Sequence, residues 1–237
     1  MTVDRNLLLE NLASLGINVS GPQMDKLEKY AGLLIETNKK FNLTAITDPA
    51  EIAVKHFADS LSVLTVPGFS ESAAVIDIGT GAGFPGVPLI IACSDIRFTL
   101  LDSTGKKLNF IRDAIDSLGL SADIIHARAE ELGRDSEYRE CFDFAISRAV
   151  ASLNVLCEYA LPFVKAGGSF IAMKGAKADE EIKSASNSVS TLGGKLAGRF
   201  DIKLSDSAER KLVEIKKVSS TPPKYPRPGA QISKKPL

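Results

Sequence analysis

The densest chemical signal in the chain is Val75-Ile76-Asp77-Ile78-Gly79-Thr80-Gly81-Ala82-Gly83-Phe84-Pro85-Gly86. An apolar run meets an acid, and glycines then follow at alternate positions. The pattern predicts a strand feeding a loop whose backbone is bare enough for a ligand to press against it. Gly81 to Gly86 also satisfies the GxGxxG of dinucleotide sites. Two features argue against a dinucleotide. Asp77, two residues before Gly79, would repel a pyrophosphate. Pro85 and Pro88 disturb the start of the next helix, whose free N–H groups would hold phosphate. S-adenosylmethionine instead brings an ammonium and a sulfonium, and a carboxylate suits both. Asp77 and the glycine loop, Gly79 and Gly81 included, are thus expected to hold that cofactor for methyl transfer.

Other polar residues stand at telling places. Asp102 ends the next apolar run, where an acid accepts hydrogen bonds from ribose hydroxyls in NAD and S-adenosylmethionine enzymes alike. Asp102, Ser103 or Thr104 could instead cap the helix that follows. Ala129-Glu130 lies just past a third strand, near where an adenine would sit; an isolated acid is more often surface charge. Arg148 follows a fourth strand, at the edge where open α/β sheets bind ligands. It could grip a carboxylate or phosphate in a fork, or pair with a loop acid. His56, Asp59 and Ser60 share one helix face by spacing. No nucleophile elbow accompanies them, so packing or capping is the expectation. Cys93, Cys141 and Cys157 have no metal-ligand spacing and read as reduced thiols.

The elements that must position these residues fall into two textures. Helices come first. Ser20-Gly21-Pro22-Gln23 predicts a capping box, and Met24, Leu27, Ala31, Leu34 and Phe41 an apolar stripe. Asp48-Pro49-Ala50-Glu51 starts another helix, with Val54, Phe57, Leu61 and Leu64 inward, ending at Pro67-Gly68. From residue 74 strands and helices alternate. Strands are expected at 74–78, 98–101, 123–125, 142–146 and 169–173, with helices at 88–93, 106–118, 153–160 and 178–192. Two last strands, near 199–204 and 211–217, are joined by a loop too short for a crossover and should pair antiparallel. The expectation is an α/β protein: a mostly parallel seven-stranded, Rossmann-like sheet with one antiparallel strand. Residues 1–66 form a helical N-terminal extension, 74–218 the core and 219–237 a basic tail of a single domain.

Equal numbers of acidic and basic residues, 29 each, leave no net charge, so nothing global points to nucleic acid. Locally, Ile215 to Leu237 holds Lys216, Lys217, Lys224, Arg227, Lys234 and Lys235 with no acid. Alone this reads as a solvated, extended tail. In a nucleic-acid enzyme it becomes a phosphate clamp, with Tyr225 to stack on a base. Acids among the first leucines argue against a signal peptide, and no apolar run has the length of a membrane span, so the chain is expected in the cytoplasm.

These segments together resemble the bacterial 16S rRNA guanine-N7 methyltransferase G family, also known as glucose-inhibited division protein B. The resemblance rests on Asn42-Leu43-Thr44, His56 to Leu61, the Asp77–Gly86 loop with its Phe84-Pro85-Gly86 ending, Leu101-Asp102-Ser103, Arg128-Ala129-Glu130, Ser147-Arg148-Ala149, Lys174-Gly175 and Tyr225-Pro226-Arg227. It implies a class I S-adenosylmethionine-dependent fold and cofactor contacts at Gly79, Phe84, Asp102, Ser103, Thr104, Ala129, Glu130 and Arg148. It implies methylation of N7 of guanine 527 in the 530 loop of 16S rRNA, by in-line transfer without a general base. Neither a catalytic side chain nor a metal is expected. Lys174, Lys177, Lys224, Tyr225 and Arg227 are the expected RNA contacts of a monomer acting on 16S rRNA or the small ribosomal subunit. An NAD-dependent oxidoreductase and a non-catalytic RNA-binding assembly protein are the competing readings.

Overall fold

The computed structural model describes residues 2–148 and 151–237. Its centre is one seven-stranded sheet in the order β3-β2-β1-β4-β5-β7-β6. The strands are β1 (Ala74–Ile78), β2 (Arg97–Asp102), β3 (Asp123–His126), β4 (Phe142–Arg148), β5 (Val164–Lys174), β6 (Gly194–Ile202) and β7 (Arg210–Lys217). β1 to β5 are mutually parallel. β7 slots between β5 and β6 and runs antiparallel to both. β1 is buried at every position, as an apolar central strand covered on both faces should be.

The strand order reverses between β1 and β4, so the loops leaving them diverge and open a cleft. One face of the sheet packs against the N-terminal helices and the Gly105–Ser117 helix, through Leu27, Phe57, Leu61, Leu108 and Ile111. The other packs against the Leu153–Ala160 helix through Leu156, Cys157 and Ala160.

Most elements start where their chemistry says. Ser20 and Gln23 form the capping box of the Gly21–Asn38 helix, and Asp48 caps the next helical run. Gly119 adopts φ +60 at the end of the Gly105–Ser117 helix. Four differences have physical reasons. Phe41 lies past the end of the Gly21–Asn38 helix, because Asn38 turns back to bind the following loop. The run after Asp48 is not a uniform α-helix. It passes through a π-helical stretch, Ile52–Ala58, then an α turn and a 3₁₀ turn. The expected helix over 178–192 is two, Ala178–Ser184 and Ser186–Thr191, meeting at Ala185. β5 starts at Val164 and carries Gly167, with φ +86, inside it. No described helix is long and apolar enough to cross a membrane.

Candidate active site

The loop after β1 is hooked to the end of β2: the Gly79 and Thr80 N–H groups donate to the Leu101 carbonyl at 2.8 and 3.0 Å. Gly79, Gly81 and Gly83 have φ of +71, +61 and +86, backbone that a side chain would strain. The buried Tyr30 hydroxyl donates to the Ala82 carbonyl, so the N-terminal helices hold the loop from behind. A Cβ on Gly86 would lie 2.7 Å from Asp77 Oδ2.

Asp77 corrects the sequence expectation. It does not line the cleft. Its carboxylate is fully buried beneath the loop, where Oδ2 accepts from the Gly86 N–H at 2.9 Å. Oδ1 has no hydrogen-bond partner among the described residues. Burial pushes the carboxyl up to about 7. An acid so placed props the loop; it does not meet a ligand's cation directly.

Asp102 does face the cleft. Oδ2 accepts from the Gly81 N–H and Oδ1 from the Thr104 N–H, both at 2.8 Å. One carboxylate therefore ties the loop after β1 to the loop after β2, and each oxygen keeps a lone pair for a ligand. Ser103, Ala129 and Glu130 also line the cleft. Thr104 does not, and takes part only through its N–H.

The opposite wall joins residues from three parts of the chain. His56 stacks on Phe84, with ring centres 4.2 Å apart and planes at 8°. The Arg148 guanidinium lies 5.2 Å over the same Phe84 ring. It donates to the Lys55 carbonyl and to Asp59 Oδ2, both at 3.0 Å, and faces His56 Nδ1 at 3.3 Å. Asp59 also pairs with Arg210 at 3.2 Å. His56 Nε2 meets Thr44 Oγ1 at 2.9 Å. Burial first, then the nearby Arg148 charge, drives the imidazole down to about 3, so it is neutral.

Thr44, His56 and Asp59 were missed as site residues. The spacing of His56 and Asp59 on one helix face was legible, but their partner Arg148 lies about 90 residues away in sequence, and Thr44 stands on a separate loop. The π-helical stretch beneath them is a feature often found at functional sites.

The tail is not free: many of its residues are exposed, but it is anchored to the body of the protein at several points. Arg139 donates to the carbonyls of Gly133, Thr221 and Tyr225 at 2.8–3.0 Å. Lys217 is buried and donates to the Leu161 carbonyl at 2.6 Å. Arg227 grips the fully buried Glu158 with its Nε at 2.8 Å and its Nη2 at 2.6 Å. Tyr225 is only 7% exposed, in the core under the sheet. Ser233, in the last helix (Gly229–Lys234), lines the cleft. This strap corrects two of the expected RNA contacts, and the end of β5 a third. Tyr225 has no free face for a base, and Arg227 is committed to Glu158. Lys174 is 6% exposed and bound to Glu181 at 2.8 Å. Lys177 and Lys224 remain on the surface.

The cleft encloses about 570 Å³, the size of a small-molecule site. It is lined by the acids Asp102 and Glu130 and by the bases Lys107, Arg128 and Arg148. Such mixed charge fits a zwitterionic nucleoside such as S-adenosylmethionine. A Cβ on Gly81 would approach only Gly79 O, at 3.9 Å, so its cleft side is open to a ligand.

The sheet order with its inserted antiparallel β7, and the cleft at its switch point, define a class I S-adenosylmethionine-dependent methyltransferase. The fold is shared with the PH0226 protein from Pyrococcus horikoshii OT3, at 14% identity and a TM-score of 0.55 over 77% of this chain and 98% of that one. M. jannaschii TYW2, solved in complex with AdoMet, matches at 17% identity and a TM-score of 0.50 over 62% and 70%. Residues 23–212 match the family model for rRNA small subunit methyltransferase G. Among relatives of that name, the protein of Alkaliphilus metalliredigens is 45% identical over 98% of both chains. That of Acetivibrio thermocellus is 46% identical over 98% of this chain and 96% of its own. The chain belongs to the rRNA small subunit methyltransferase G family, and the oxidoreductase reading falls.

Proposed function

We propose that this protein methylates N7 of guanine 527 in the 530 loop of 16S rRNA. The observation that carries the proposal is the composite cleft, in a chain of this family. Gly79, Gly81, Phe84, Ser103, Ala129, Glu130 and Arg148 are assigned to S-adenosylmethionine, with Asp102 on the ribose hydroxyls. Thr104 serves through its N–H and Asp77 by propping the loop. When bound, the cofactor supplies an electrophilic methyl group.

Guanine N7 offers a lone pair and carries no proton, so no general base is required. The wall beside Phe84 suits such a reaction. Both nitrogens of His56 are engaged, and Asp59 is held by two arginines. The work left to the protein is to place the base in line with the methyl group and to exclude water. Positioning of this kind supplies roughly 7–11 kcal/mol of a barrier. Lys177 and Lys224 are the surface cations assigned to the RNA backbone.

The test is methyl transfer from labelled S-adenosylmethionine to small ribosomal subunits that lack the modification, with the modified base then mapped. Label at N7 of guanine 527 is expected. Label at another atom refutes the assignment, and RNA binding without label supports an assembly protein instead.

A further inference from the structure

The loop that carries Thr44 is pinned. Asn38 Oδ1 accepts from the Leu43 and Thr44 N–H groups at 2.7 and 3.0 Å, and Asn38 Nδ2 donates to the Thr44 carbonyl at 2.9 Å. Thr44 therefore stands in the cleft wall on a fixed backbone.

The hydrogen-bond roles around the Thr44 hydroxyl follow from Arg148. A guanidinium only donates, so His56 Nδ1, facing Arg148 Nη2 at 3.3 Å, must accept. The neutral imidazole then carries its one proton on Nε2 and donates it to Thr44 Oγ1 at 2.9 Å. The Ile46 N–H donates to the same oxygen at 3.0 Å. A hydroxyl has two lone pairs and one proton. Both lone pairs of Thr44 are filled, and its proton has no acceptor among the described residues. Arg148 and His56 thus turn Thr44 into a donor that cannot accept, standing on the cleft wall.

The geometry points to Thr44 as the residue that tells guanine from adenine, by donating its hydroxyl proton to O6 of the target base. The inference rests on the guanine-N7 reading. Guanine places two acceptors, N7 and O6, side by side on that edge, whereas adenine places an amino donor next to N7. Thr44 meets O6 with a proton. It would meet the adenine amine donor to donor, with no lone pair free. Holding O6 also fixes the neighbouring N7 toward the methyl group. Arg148 and His56 are the positioning residues that set the polarity of the contact.

The experiment uses the full chain and small ribosomal subunits. Thr44→Val removes the hydroxyl at nearly constant shape, its proton together with the acceptor of the His56 and Ile46 N–H groups, and Thr44→Ser keeps all three contacts. Single-turnover methyl transfer should fall on the order of 10- to 100-fold in Thr44→Val and stay near wild type in Thr44→Ser. Affinity for S-adenosylhomocysteine, measured by calorimetry, should be the same in all three proteins. Subunits reconstituted with 2-aminopurine, which lacks O6, at the target position should slow the wild type and leave Thr44→Val indifferent. Nitrogen NMR should find the His56 proton on Nε2. Full activity of Thr44→Val overturns the proposal. So does weakened S-adenosylhomocysteine binding, which would give the hydroxyl to the cofactor. So does a wild type that accepts both bases equally, an arm that needs no variant to fold. Failure of the wild type to label N7 at all refutes the underlying reading as well; N7 label with an indifferent Thr44→Val refutes Thr44 alone.

Discussion

Replacing Arg227 with alanine separates two views of the C-terminal segment. In the structure the guanidinium and the Arg227 N–H supply three donors to Glu158, whose side chain is fully buried. The alanine variant keeps only the N–H and leaves a carboxylate in the core. Breaking a buried pair from one side costs about 3–5 kcal/mol. The Arg227 side chain is 15% exposed, so water can follow into the vacated space, and the lower end, about 3 kcal/mol, is expected. In a chain of this length that lowers Tm by roughly 6–12 °C. Adding Glu158→Gln removes the stranded charge and should restore most of the loss, a coupling that a double-mutant cycle reads directly. Because Ser233 lies just beyond in the cleft wall, S-adenosylhomocysteine should also bind more weakly. Thermal unfolding with and without that ligand measures both effects. An Arg227→Ala protein of unchanged Tm and cofactor affinity, but poor RNA binding, would refute this reasoning and make Arg227 a phosphate ligand.

Three further outcomes follow from the loop after β1. Asp102→Ala removes the acceptor shared by Gly81 and Thr104 and the partner for the ribose, and should weaken S-adenosylhomocysteine binding on the order of 10- to 100-fold by calorimetry; unchanged affinity would take Asp102 out of the site. Gly86→Ala drives a methyl group against Asp77 and Leu100 and should cost about 1–3 kcal/mol in urea unfolding, where an unaltered midpoint would contradict the packing. Asp77 keeps its proton up to about 7 in the folded chain against 3.8 in the unfolded one. The folded state then binds more protons between those values, so this group's contribution to stability declines as pH rises from about 4 through about 7. Asp77→Asn should lack that decline, and parallel pH profiles of the two proteins would show that the carboxyl is not shifted.

The sheet, its strands and the loop leaving its first strand were legible because their signals are local. An apolar run ending at Ile78, glycines after it and an acid at Asp102 each speak through a few neighbouring residues. The antiparallel β7 was legible from the shortness of the loop before it. Asp77 was misjudged because sequence gives the charge of a side chain and not its direction. It lies in a strand buried on both faces, and the face it points to is set by how the loop folds over it. The tail was misjudged for a related reason. Its composition is that of a solvated segment, and the groups that hold it are distant: Glu158 for Arg227, Arg139 for the carbonyls around Tyr225. The Thr44–His56–Arg148 wall draws on a loop, a helix and a strand end, so no single window of sequence contains it.

The π-helical stretch Ile52–Ala58 bears on how this enzyme can vary in length. A π turn carries one residue more than the α turn it replaces. Removing one residue there would let the run close as an ordinary α-helix with its backbone bonds satisfied. The extra residue is taken up locally, so the turns on either side would keep nearly their places while the residues inside the stretch changed face. His56 could no longer lie on Phe84 while Asp59 still met Arg148. Loops can gain or lose residues at small cost, but this helix must keep its count. A single-residue deletion there should dismantle the active-site wall, and where the lost side chain is buried it should cost core packing as well.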